Sequence, residues 1–212
     1  MEPDRRMAFF GKIAADYDFF IDLCTLGTNA RFLKKAVKIL APRKGERILD
    51  LGSGTGRVAS WIFEMVGQEG LVVGMDNADG MVDAAKTRYA YPKNLIFLKQ
   101  DITRSWSYRN PFDGILASFS IHELPEKGRR RVLEQSILAL SDQGRIVVAD
   151  FNPEISGWKR TLLGVFFNIF ERPNLDFLRY GLREELTGVG FKRIKSMPFL
   201  GGLLQITLAY KT

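Results

Sequence analysis

One cysteine and one histidine, Cys24 and His122, occur in 212 residues. A single thiol closes no internal disulfide and supplies no cysteine cluster for a metal, so no metal site is expected. Long apolar runs are also missing, and none reaches the length of a membrane span. The opening "MEPDRRMAFF" carries charge but no apolar core followed by a cleavage site, so no signal peptide is read there. No polar low-complexity stretch suggests disorder, and no internal repeat is visible. These absences leave a cytoplasmic protein of one domain as the expectation.

An acidic excess is absent as well. The net charge is +7, and Lys and Arg cluster in "RFLKKAVK" from Arg31, "PRKGER" from Pro42, "EKGRRR" from Glu126 and "FKRIK" from Phe191. Such clusters are either solvated surface or an attraction for an anionic partner, nucleic acid or a lipid surface. No run is long enough for a basic tail, and aromatics are not interleaved as a stacking platform requires. Nucleic acid is therefore disfavoured.

What is present is alternation. "RILDLG", "LVVGMD", "NLIFLKQD", "FDGILASFS" and "GRIVVADF" read as buried strands. Between them lie helical patterns: "TGRVASWIFEMVG", with Val58, Trp61, Ile62 and Met65 at helical spacing, "NADGMVDAAKTRYA", and a helix opened by Pro125. Near-continuous apolar strands alternating with helices predict an α/β fold, a doubly wound, mostly parallel sheet of seven strands. "FKRIKSMPF" and "LLQITLAYK" read as a closing antiparallel pair, with one antiparallel strand expected at an edge. The segment from Met7 to Pro42 is helical by pattern, with Phe32, Leu33, Ala36, Val37 and Leu40 on one face. The chain thus divides into a helical cover over 1–42, a cofactor-binding half over 43–151, and a lid helix with antiparallel strands over 152–212. The Phe-rich "GWKRTLLGVFFNIFERP" is either a core helix or a lid over an apolar substrate.

The glycines narrow the ligand. "DLGSGTGR" puts Gly52, Gly54 and Gly56 at alternate positions, with Ser53 between the first two. A dinucleotide fingerprint needs its third glycine one residue later, where Arg57 stands, and no Lys-Ser or Lys-Thr follows to make a phosphate loop. What remains is a bare turn for an adenosine and an amino-acid moiety. Asp50 stands before it to attract an ammonium group. Asp76 ends the second strand, placed for both ribose hydroxyls. Asp101 follows the third, placed for the adenine amine, with the Ile102 N–H reaching a ring nitrogen. Three acids at three successive strand ends suit S-adenosylmethionine, which has no phosphate.

The motifs "ILDLGSGTG", "VVGMD", "LKQDI", "FDGILASFSIHEL" and "GRIVVADF" resemble, in that order, the class I S-adenosylmethionine-dependent methyltransferases. "FFGKIAADYDFFIDLCTLGTNARFLKKAV" is similar to the opening of the ubiquinone/menaquinone biosynthesis C-methyltransferases. That resemblance implies a Rossmann-like fold and places Tyr17 where a tyrosine helps close the cofactor site. The candidate cofactor contacts are Tyr17, Asp50, Gly52, Ser53, Gly54, Gly56, Asp76, Asn77, Met81, Asp101, Ile102 and Ser118. After the fourth strand this chain has His122-Glu123 where those enzymes carry an Arg-Asn pair.

His122 is the candidate catalytic group. It follows the fourth strand, where cofactor and acceptor should meet, and imidazole can take a proton near neutral pH. The alternative is that it packs or caps the next helix. Phe9, Phe10, Tyr17, Phe19, Phe20, Phe166 and Phe167 are expected to supply a dry pocket over the methyl group. The expected reaction is methyl transfer to a small, apolar acceptor, a quinone precursor or lipid, with peripheral contact to an anionic membrane. RNA or protein methylation, and a non-catalytic S-adenosylmethionine-binding role, are the alternatives.

Overall fold

The computed structural model describes residues 17–158, 160, 161, 164, 177 and 181–212. Seven strands form one sheet: β1 (Arg47–Leu51), β2 (Leu71–Asp76), β3 (Leu95–Lys99), β4 (Phe112–Ser118), β5 (Leu140–Phe151), β6 (Lys192–Phe199) and β7 (Leu204–Tyr210). Their order is β3-β2-β1-β4-β5-β7-β6. The first five are parallel, and β7 runs antiparallel to both β5 and β6. The antiparallel strand therefore lies one place in from the edge instead of at it. Composition explains the swap. β7, "LQITLAY", is buried along most of its length, whereas β6, "KRIKSMPF", is largely exposed. The charged strand takes the edge, where Lys and Pro deter pairing with another chain.

Helices cover both faces: α1 (Tyr17–Cys24), α2 (Thr28–Leu40), α3 (Arg57–Val66), α4 (Asp79–Arg88), α5 (Glu126–Ala139) and α6 (Leu182–Gly188). Residues of α2, α3 and α4 pack on Ile48, Val72, Phe97, Leu116 and Val147. Residues of α5 and α6 pack on Leu49, Val73, Ile115 and Ile146. The buried face of α2 is the expected one, Phe32, Leu33, Ala36, Val37 and Leu40. In α3 the buried face is Val58, Ala59, Ile62 and Val66, rotated from the expected stripe. Met65 is exposed, and Trp61 lies between two cations, Arg57 and Lys34.

Two expectations need correction. Among its described residues the N-terminal cover holds two helices, parted at Thr25–Gly27, where Leu26 and Gly27 stand at positive φ. Its longer helix, α2, lies on the sheet face, and only α1 reaches the glycine turn. The charge runs are also not all solvated surface. Arg129 of "EKGRRR" is fully buried, forked onto Glu185 of α6 at 2.7 and 2.9 Å and donating to the Leu124 carbonyl. Arg145 likewise ties Glu46 to the carbonyls of Leu40 and Ala41. A buried guanidinium needs such a full set of acceptors.

Candidate active site

The strand order reverses between β1 and β4, which makes the crevice where open α/β sheets hold ligands. The turn after β1 folds back over β2: the N–H groups of Gly52 and Ser53 both donate to the Met75 carbonyl, at 2.8 and 2.9 Å. The glycines answer to two constraints. Gly52, at φ 71°, lies so close to Ser120 that an added Cβ would stand 2.4 Å from that side chain. Gly56, at φ 78°, begins α3, and a Cβ there would stand 2.5 Å from the Phe97 ring. Both are places for a residue without a side chain. At Gly54 nothing lies within 4 Å of where a Cβ would be, so that backbone faces open space.

Two carboxylates meet beneath the turn. Asp76 Oδ2 accepts the Gly54 N–H at 2.8 Å, and Oδ1 accepts the Ala78 N–H at 2.9 Å. Burial raises the Asp76 pKa from 3.8, against the lowering effect of those amides. Asp50 is fully buried, and neither carboxylate oxygen has a hydrogen-bond partner among the described residues. Burial, and then the nearby Asp76, push its pKa to about 7, against a smaller lowering effect of the Ala59 backbone amide. Two acids sharing a low-dielectric site resist joint ionisation, and a cation between them would relieve the conflict.

Tyr17, the first residue of α1, packs with Ala78 and Met81, so two candidate contacts from distant parts of the sequence, Tyr17 and Met81, stand together. Asn77 is exposed between Asp76 and Ala78, and Ser118 is half-buried at the end of β4. Asp101 follows β3 by two residues, but its Oδ1 accepts both the N–H and the hydroxyl of Thr103, at 2.8 and 2.7 Å. Its Oδ2 stands 3.7 Å from Arg104 Nε. Ile102 is buried, and its carbonyl accepts from Trp106 Nε1 at 3.0 Å.

His122 does not stand open at the sheet edge; it is only 2% exposed. Its Nδ1 lies 2.6 Å from Asp150 Oδ1, and Asp150 Oδ2 accepts the N–H groups of Ile121 and His122, each at 3.1 Å. Phe151 stands edge-on to the imidazole, with ring centroids 4.9 Å apart. The partner Asp150 was the missed residue. It ends β5 as Asp50 and Asp76 end β1 and β2, so the strand-end acid was itself the signal. Ser120 was missed too: its hydroxyl donates to the Leu51 carbonyl at 3.0 Å and joins β4 to the glycine turn.

The aromatic expectations divide. Phe9, Phe10, Phe166 and Phe167 lie outside the described residues. Phe19 and Phe20 are exposed and do not wall a pocket. The reason is that Asp18 and Asp22, on another side of α1, are held against Arg57 and Arg88. Among the described residues no group of acids, histidine and cysteine is arranged to hold a metal.

A family model described as "Methyltransferase domain" matches residues 48–144, from β1 into β5. The ubiquinone/menaquinone biosynthesis C-methyltransferase of Francisella tularensis subsp. novicida is 25% identical, over 99% of this chain and 92% of its own. A demethylmenaquinone methyltransferase of Clavibacter sepedonicus is 28% identical, over 71% of this chain and 60% of its own. The chain carries a methyltransferase domain whose cofactor is S-adenosylmethionine. The solved structure of a Thermotoga maritima S-adenosylmethionine-dependent methyltransferase shares the fold of this methyltransferase, at TM-score 0.72 and 18% identity, covering 96% of this chain and 98% of that one. The donor set fits the cofactor: the orphaned Asp50 carboxylate, the open backbone at Gly54 and the half-buried Asp76 suit a ligand that is cationic and carries a diol.

Proposed function

We propose that this methyltransferase acts on a small, apolar acceptor, a quinone precursor or lipid-like molecule. Asp50 would face the cofactor's ammonium group, Asp76 its ribose, and Ile102, Asp101 and Met81 its adenine, with Tyr17 closing over it. The observation that carries the cofactor placement is the pair of neighbouring carboxylates, the buried Asp50 and the half-buried Asp76, in a chain of net charge +7. S-adenosylmethionine supplies an electrophilic methyl group on sulfur. The protein's own work is to hold that group in line with the acceptor and to keep water away, and positioning of this kind is worth up to roughly 7–11 kcal/mol. His122, oriented by Asp150, takes the proton that the acceptor loses. The likeness to C-methyltransferases of quinone biosynthesis supports the acceptor class.

The test is methyl transfer from labelled S-adenosylmethionine to separated quinone-precursor, lipid and RNA fractions. Label in an apolar acceptor is the expected result, and label only in RNA would overturn the reading. Asp76→Ala should weaken cofactor binding by roughly 1–3 kcal/mol, because the ribose loses a charged acceptor. Calorimetry with S-adenosylhomocysteine measures it, and an unchanged affinity in the folded variant would mean that the ribose is held elsewhere.

A further inference from the structure

Helix α1 is amphipathic with its charged side inward. Asp18 Oδ2 accepts from Thr55 Oγ1 at 2.8 Å and from an Arg88 guanidinium nitrogen at 2.7 Å, and Asp22 is paired with Arg57. The apolar side faces solvent: Phe19 is 71% exposed, Phe20 57% and Leu23 61%, and Leu26 in the following turn is 84% exposed. Helices normally bury such a stripe against the core. Here three ionic and polar ties to the glycine turn and its flanking helices fix the helix the other way. A contiguous apolar stripe presented by a surface helix marks a contact site.

The neighbouring surface says what kind of contact. Arg31, Lys34, Lys35 and Lys38 of α2 are all exposed, at the spacing of one helix side, and "TNARFLKKAVKIL" holds no acid. Apolar side chains beside a basic stripe are what an anionic lipid surface selects, acyl boundary for the first and phosphate for the second. Among the described residues no helix is long and apolar enough to cross a membrane.

We propose that the corner formed by α1 and α2 docks on an anionic bilayer. Phe19, Phe20, Leu23 and Leu26 enter the headgroup boundary, and Arg31, Lys34, Lys35 and Lys38 meet the lipid phosphates. Because Asp18 is bound to Thr55 in the glycine turn, the docked corner adjoins the cofactor crevice, on the route of an acceptor leaving the bilayer. That last link rests on the apolar-acceptor reading; the docking does not.

The experiment is co-sedimentation of the full chain with phosphatidylcholine vesicles, with and without phosphatidylglycerol. The chain should bind the phosphatidylglycerol vesicles, and the double variant Phe19→Ser, Leu23→Ser should bind them at least about tenfold more weakly. Arg31→Glu with Lys35→Glu should lower binding too, and high salt should weaken it. Affinity for S-adenosylhomocysteine should stay unchanged in both variants, which shows that they are folded. Equal binding of the Ser variant, or no binding of the wild type to either vesicle, overturns the proposal. So does a wild type that sediments as a dimer while the Ser variant is a monomer, which would assign the stripe to a second copy. No acceptor is present in these vesicles, so the outcome is separable from that of the methyl-transfer screen.

Discussion

Asp50→Asn should bind the cofactor roughly 10–100-fold more weakly and yet melt at a higher temperature than the wild type at pH 8. The Asp50 carboxyl titrates near 3.8 in the unfolded chain and at about 7 in the folded one. Folded protein therefore holds a proton that unfolded protein has lost, and stability falls as pH rises between those values. Below pH 4 the penalty is absent; by pH 7 it reaches on the order of 4 kcal/mol and then stays level. Asparagine removes it, though its own buried amide costs about 1–3 kcal/mol. A net gain of about 2 kcal/mol corresponds to a Tm rise of roughly 4–8 °C in a domain of this size. The pH dependence is the sharper readout. The wild-type Tm should decline from pH 5 to 7 and that of Asp50→Asn should not, while S-adenosylhomocysteine should stabilise the wild type more at pH 8 than at pH 6. A variant as pH-dependent as the wild type would remove Asp50 from the account.

His122→Ala should lower kcat by roughly 10²–10⁴ and leave cofactor affinity unchanged, as loss of a general base does. Asp150→Asn should fall in the same direction with KM for the acceptor preserved, because the aspartate acts through the imidazole and is otherwise held by three backbone amides. His122 is the only histidine, so ¹⁵N-histidine labelling yields one imidazole and an unambiguous spectrum. The proton should sit on Nδ1 in the wild type and redistribute in Asp150→Asn. A His122→Ala enzyme with full turnover would reduce the pair to a packing feature, and the acceptor would have to arrive already deprotonated.

Much of this architecture is legible from local pattern. Each parallel strand announces itself as a short apolar run, and each helix by its period, because both depend on neighbours close in sequence. The glycine turn and the acids after β1, β2 and β3 are legible for the same reason. What the sequence hides depends on partners far away. Asp150 reads as one more strand end until the fold brings it 2.6 Å from a histidine 28 positions earlier. Arg129 reads as a solvated charge until Glu185, 56 positions on, neutralises it. The facing of α1 is the clearest case. Asp18, Asp22, Phe19, Phe20 and Leu23 allow either side to point inward, and Thr55, Arg57 and Arg88, all later in the chain, decide it.

The place of β7 bears on how the chain is made. β5 acquires its second neighbour only after β6 has been synthesised, and the side-chain amide of Asn152 waits for the carbonyl of Gly202, 50 positions on. A nascent chain that has released β5 but not β7 shows a bare apolar strand edge to its surroundings, the template on which chains aggregate. Asp150 pairs with Gln205 in that register, so the same late zipper also fixes the backbone that carries the histidine's partner. A destabilised β7 should therefore surface first as insoluble protein, before any purified enzyme shows a lowered rate.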